Sequence, residues 1–112
     1  MKVRVASIVM FLVMKGMALN DRLKEKDAWD IYYCVKNYPG DPDNLVNEFK
    51  AHIGNALVRE GLKKIRTKFA SEGHIGPKYV ADFEDVTDPE ERAFLQRDAY
   101  ERVNYLLEKL GI

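Results

Sequence analysis

Two cations, Lys15 and Arg22, and two carboxylates, Asp27 and Asp30, stand at helical spacings inside a stretch that otherwise reads as core. On a helix of about 3.6 residues per turn, Ile8, Phe11, Leu12, Lys15, Ala18, Leu19 and Arg22 fall along one stripe. Charges on a stripe of bulky apolar side chains are costly unless counter-ions meet them. Leu23 to Lys26 forms a short polar connection, after which Asp27, Asp30, Ile31, Cys34 and Tyr38 make the stripe of a second helix. So short a connection implies an antiparallel helix hairpin that returns the aspartates to the cations. Cations placed this way can neutralise a triphosphate while the aspartates hold them by charge-assisted hydrogen bonds. The same four residues also suit a partly buried ion network that does no more than fix the hairpin.

Written Lys-x2-Ala-x3-Arg-x3-Lys-Asp-x2-Asp, the pattern resembles the C-terminal half of the AbiEii/AbiGii toxin-like nucleotidyltransferases, which carry a similar signature on consecutive helices. The match is strongest over residues 5 to 40. The resemblance implies catalytic roles for Lys15 and Asp30, and nucleotide binding by Lys15, Arg22, Lys26 and Asp27. It also implies Mg²⁺ and a nucleoside triphosphate in a complete enzyme of a toxin–antitoxin system.

The chain departs from that family at one decisive point. The family's metal-binding signature is Gly-Ser, a short helix, then Asp-x-Asp at a strand end. This sequence has no Gly-Ser pair, and its one Asp-x-Asp, Asp41-Pro42-Asp43, falls in a turn that follows no strand. No metal ligands are assigned, and no cofactor is expected for this chain alone. It is therefore expected to be the helical part of a nucleotidyltransferase-like protein, inactive by itself and completed by a missing N-terminal catalytic half or paired as a homodimer. The alternative is a non-catalytic helical module that binds RNA or a protein partner.

Length and composition bound the rest. At 112 residues, 46% of them hydrophobic and 32% charged, the chain suits one helical domain spanning 1–112 with a modest core. Eighteen basic and eighteen acidic residues cancel, so any nucleic-acid contact must come from a local patch. The single cysteine, Cys34, excludes an internal disulfide and suggests a buried thiol in a reducing compartment. Met1 to Met14 imitates the charged and apolar regions of a signal peptide. Lys15 interrupts that imitation, and the apolar run falls short of the roughly 20 residues that span a bilayer. The expectation is a cytoplasmic protein without a membrane partner.

The predicted elements are about five helices in a bundle with a short N-terminal strand. Lys2 to Ala6 alternates as a strand does, and Ser7 then caps a helix running to Arg22. That helix is apolar on nearly every side, and Gly16 within it points to close packing against a neighbour. The second helix, about Lys26 to Asn37, carries Trp29, Tyr32 and Tyr33, with Tyr38 just beyond, as packing residues or a base-stacking platform. A third helix presents Leu45, Val46 and Phe49 after the Pro39-Gly40-Asp41-Pro42 turn. The fourth, about Ala56 to Ala70, buries Leu57, Val58, Leu62, Ile65 and Phe69.

Its other positions hold Arg59, Lys63, Lys64, Arg66 and Lys68 against the single acid Glu60, a basic face suited to a tRNA-like backbone or to plain solvation. Residues 71–87 lack helical periodicity, with His74 in a loop and Tyr79 to Phe83 a short strand or helical turn. The last helix starts at the Asp88 cap and Pro89, ends at Gly111, and keeps Leu95, Ala99, Val103, Leu106 and Leu110 in one seam.

Overall fold

A computed structural model describes residues 6–112 of the chain. Among these residues there are six helices and no strand: α1 (Ala6–Arg22), α2 (Glu25–Asn37), α3 (Pro42–Lys50), α4 (Ala56–Lys68), α5 (Ile75–Phe83) and α6 (Pro89–Lys109). The mainly helical expectation holds, and the count of five is corrected to six. Of the strand expected over Lys2 to Ala6, all but Ala6 lies outside the described residues. Ala6 opens α1, so Ser7 falls inside that helix rather than at its cap.

The additional helix is α5. Gly76-Pro77 reads as a break in a sequence, yet both residues sit in the first turn of α5, where a missing amide hydrogen costs no helical bond. Gly76, Pro77, Val80 and Ala81 are its buried positions, a helical spacing carried by side chains too small to announce it. Gly76 lies hard against the end of α4. A Cβ there would meet the Lys68 carbonyl oxygen and the Phe69 ring, both at 2.7 Å.

Helix starts follow local chemistry elsewhere. Asp41 accepts from the Asp43 amide at 2.8 Å, Asn55 from the Leu57 amide at 2.8 Å, and Asp88 from the Glu91 amide at 2.9 Å. Each satisfies a donor that the first helical turn leaves unpaired. At the other end of α6, Gly111 takes a positive φ of 75° and closes the helix.

The core is built where α1 crosses α4. A Cβ on Gly16 would stand 2.7 Å from Ile65 Cγ1 and 2.8 Å from the Gly61 carbonyl oxygen. One on Gly61 would stand 2.8 Å from Val13 Cγ1 and 3.0 Å from Val13 Cα. The two backbones therefore meet through facing glycines, as the placement of Gly16 led one to expect. Val9, Leu12, Val13 and Leu19 of α1 and Val58, Leu62 and Ile65 of α4 are buried in the core around this contact. Leu57, expected on that buried face, is exposed; it precedes Val58 by one residue and so turns off the seam.

The opposite side of α1 is open, as expected of a helix apolar on more sides than one layer of neighbours covers. Met10, Phe11 and Met14 form an exposed apolar row. Helix α2 lies against α1, α5 and α6, while α3 packs mainly on α6. Cys34, expected buried, is half-buried, and its thiol pKa is raised by that burial.

Candidate functional site

Chain reversal between α1 and α2 takes place at Leu23. Its amide donates to the Leu19 carbonyl at 3.0 Å, and its φ of 54° turns the backbone into the left-handed region. Helix α2 then runs back along α1 and brings both aspartates under the cations.

The result is one connected network. Lys15 Nζ stands 2.8 Å from Asp30 Oδ2 and 3.4 Å from Asp27 Oδ1. Arg22 Nη2 donates to both oxygens of Asp27, at 3.0 and 3.1 Å. Lys26, one helical turn before Asp30, reaches its two oxygens at 3.2 and 3.1 Å. All five residues expected in the site are thus joined in one network, including the two to which the family resemblance gives catalytic roles.

Burial is divided sharply between the signs. Asp27 is 2% exposed and Asp30 9%. The side chain of Lys15 is 22% exposed, whereas those of Arg22 and Lys26 are 54% and 64% exposed. The carboxylates are the buried members, Lys15 is partly buried, and the other two cations lie on the solvent side. Lys15 sits at the edge of the buried α1 seam rather than in its centre, with its ammonium 5.4 Å from the centroid of the Phe11 ring. Its pKa is raised, first by the hydrogen bond to Asp30, against the opposing pull of burial.

Three cations share two carboxylates, so the network keeps one unit of positive charge. The contacts of Arg22 with Asp27 use one terminal nitrogen, leaving the rest of its planar fork without a partner among the described residues. Such a fork suits a phosphate or carboxylate oxygen.

The other expected groups are placed as follows. On α4, Arg59 donates to the Ile53 carbonyl at 3.0 Å, and Lys64 stands 3.6 Å from Glu60. Lys63 and Arg66 are exposed without ion partners among the described residues, and Lys68 is half-buried. Asp41 caps α3, and Asp43 accepts the Tyr105 hydroxyl at 2.6 Å, so this Asp-x-Asp is engaged in holding the fold. His74 precedes α5 and its Nδ1 lies 2.6 Å from Ser71 Oγ. No group of three or more His, Cys, Asp or Glu among the described residues could hold a metal ion.

Comparison of the chain with protein-family models, with curated proteins and with solved structures found no match. What can be said of the site therefore stands on its own geometry.

A second polar cluster has no counterpart in the sequence pattern. Tyr32 donates its hydroxyl to Asp98 Oδ2 at 2.6 Å, and Arg102 Nε reaches the same oxygen at 2.9 Å. The Asp98–Arg102 spacing of four residues is visible on α6, but nothing local points to a tyrosine 66 positions away. Trp29 ties α2 to the end of α5 in a similar way. Its indole donates to Glu84 at 2.9 Å, and its ring packs on Tyr33 and Phe83 with centroids 4.8 and 5.2 Å apart. Among the described residues no helix is long and apolar enough to cross a membrane.

Proposed function

We propose that this chain is the helical, phosphate-binding part of a nucleotidyltransferase-like protein. Lys15, Arg22 and Lys26 hold the triphosphate of a nucleotide, and Asp27 and Asp30 hold those cations in place. The single observation that carries this reading is the surplus of cation over carboxylate in the hairpin network, with the open side of Arg22 facing solvent. Lys15 is the deepest of the three cations and is fixed by two aspartates, as a group that meets developing charge must be. Mg²⁺ and the carboxylates that bind it belong to the other half of the enzyme. The exposed row of Met10, Phe11 and Met14 supports a surface that such a half, or in its absence a second copy of the chain, would cover.

The test is calorimetric titration of the chain with a nucleoside triphosphate and with inorganic tripolyphosphate. Both are expected to bind, and added salt is expected to weaken both. Arg22→Ala should reduce affinity about tenfold, the loss of one charge-assisted contact. Absence of binding at low salt, or indifference to Arg22→Ala, would exclude the reading. Nucleotide transfer by the chain alone in the presence of Mg²⁺ would contradict its dependence on another half.

A non-catalytic RNA-binding module is the second reading, and Lys63 and Arg66, exposed and without ion partners among the described residues, favour it. Affinity for a tRNA-like RNA should then fall steeply with salt, and the slope should flatten by about two contacts in the Lys63→Ala, Arg66→Ala double variant. An unchanged slope leaves those residues as a solvated face.

A further inference from the structure

Away from the hairpin network, a cleft of about 470 Å³ opens where the end of α2 and the start of α3 lie against α6. Its volume falls within the range of small-molecule sites, roughly 300–1,000 Å³. The floor is apolar and comes from three helices: Val35 of α2, Leu45 of α3 and Leu106 of α6. Tyr38 and Tyr105 form the walls. Tyr105 is held in position by its 2.6 Å hydrogen bond to Asp43 and by the Lys109 ammonium 5.3 Å from its ring centroid. An aromatic wall fixed in advance lowers the ordering cost of binding.

The rim carries both signs of charge: Lys36, Asp98, Glu101 and Arg102. Asp98 is engaged by Arg102 Nε and by the Tyr32 hydroxyl. Lys36 lies over the Tyr32 ring, 5.5 Å from its centroid. Among the described residues, Lys36 and Glu101 have no hydrogen-bond or ion-pair partner, and the terminal nitrogens of Arg102 are likewise unengaged. A ligand of one sign would meet a like charge somewhere on this rim, a contact that selects against it.

We propose that this cleft binds a small zwitterion with an apolar body, of the class of the apolar α-amino acids. The carboxylate meets Lys36 and the free edge of Arg102, the ammonium meets Glu101, and the side chain lies on Val35, Leu45 and Leu106. The cleft shares no residue with the hairpin network, so this inference stands or falls independently of the phosphate-binding reading.

The experiment is amide NMR titration of the full chain with L-phenylalanine, phenylpropionate, which lacks the ammonium, and phenethylamine, which lacks the carboxylate. L-phenylalanine should shift the amides of Lys36, Leu45, Arg102 and Tyr105 and bind about threefold or more tightly than either analogue, the scale of one exposed ion pair. Lys36 and Glu101 are exposed, so their variants should fold. In Glu101→Gln the advantage of phenylalanine over phenylpropionate should vanish, and in Lys36→Met its advantage over phenethylamine should shrink. No shift at these amides at millimolar phenylalanine, an equal or tighter fit of a one-charge analogue, or an unchanged ranking in both variants would overturn the proposal.

Discussion

Asp27 takes both of its contacts with Arg22 from a single nitrogen, 3.0 Å to one carboxylate oxygen and 3.1 Å to the other, while itself being almost wholly buried. The two partners therefore carry unequal risk. Removing Arg22 leaves Asp27 still 3.4 Å from Lys15 and takes away a side chain that is more than half in water. Removing Asp27 leaves Lys15 with one fewer anion in a half-buried position.

The stability of single variants should show that asymmetry. Asp27→Ala is expected to cost about 2–3 kcal/mol, near the lower end for breaking a buried pair, because Arg22 is open to solvent. Arg22→Ala should cost about 1 kcal/mol or less. Urea unfolding of both variants measures the difference, and equal losses would contradict so uneven a division of burial.

The glycine contact between α1 and α4 makes a second, sharper expectation. Gly16→Ala and Gly61→Ala each place a methyl group within 3 Å of the facing helix and should destabilise by about 1–3 kcal/mol. Gly54 supplies the control, because a methyl group there would have nothing within 4 Å and the residue has no positive φ. Gly54→Ala should stay within about 0.5 kcal/mol of the parent in the same unfolding experiment.

Alkaline pH tests two close polar contacts, Lys15 with Asp30 and Tyr32 with Asp98. The pKa of Lys15 is raised above its ordinary 10.5, first by its hydrogen bond to Asp30. That of Tyr32 is raised above its ordinary 10.0, first by burial and then by its hydrogen bond to Asp98. In both cases the folded state holds the proton more tightly than the unfolded state does. The stability each group contributes is thus complete below its ordinary value and is lost as pH rises through the raised one. Melting temperature should fall from about pH 10 upward, and less steeply in Lys15→Met and in Tyr32→Phe. Slopes parallel to that of the parent would contradict the linkage.

Much of this architecture can be read from residue order alone, and the exceptions have physical causes. The hairpin is legible because Lys15, Arg22, Asp27 and Asp30 recur at helical spacing on either side of a short polar connection. Caps at Asp41, Asn55 and Asp88 are local chemistry and leave local signatures. Helix α5 is hidden because its buried face is made of Gly76, Pro77, Val80 and Ala81, of which the first two usually signal a turn. An uncovered apolar face on α1 is legible because the helix is apolar on nearly every side, while the choice of Met10, Phe11 and Met14 as that face depends on which helices cover the rest. The Tyr32–Asp98 bond and the cleft beside it join residues far apart in the chain, beyond the reach of any spacing rule.

Mapping a nucleoside triphosphate onto the chain by amide NMR tests the central claim most directly. The account predicts that the largest shifts fall on Lys15, Arg22, Lys26 and their immediate neighbours, and that they collapse as salt is raised. Shifts centred instead on Lys63 and Arg66 of α4, or spread without focus over the surface, would contradict the assignment of the hairpin as a phosphate site.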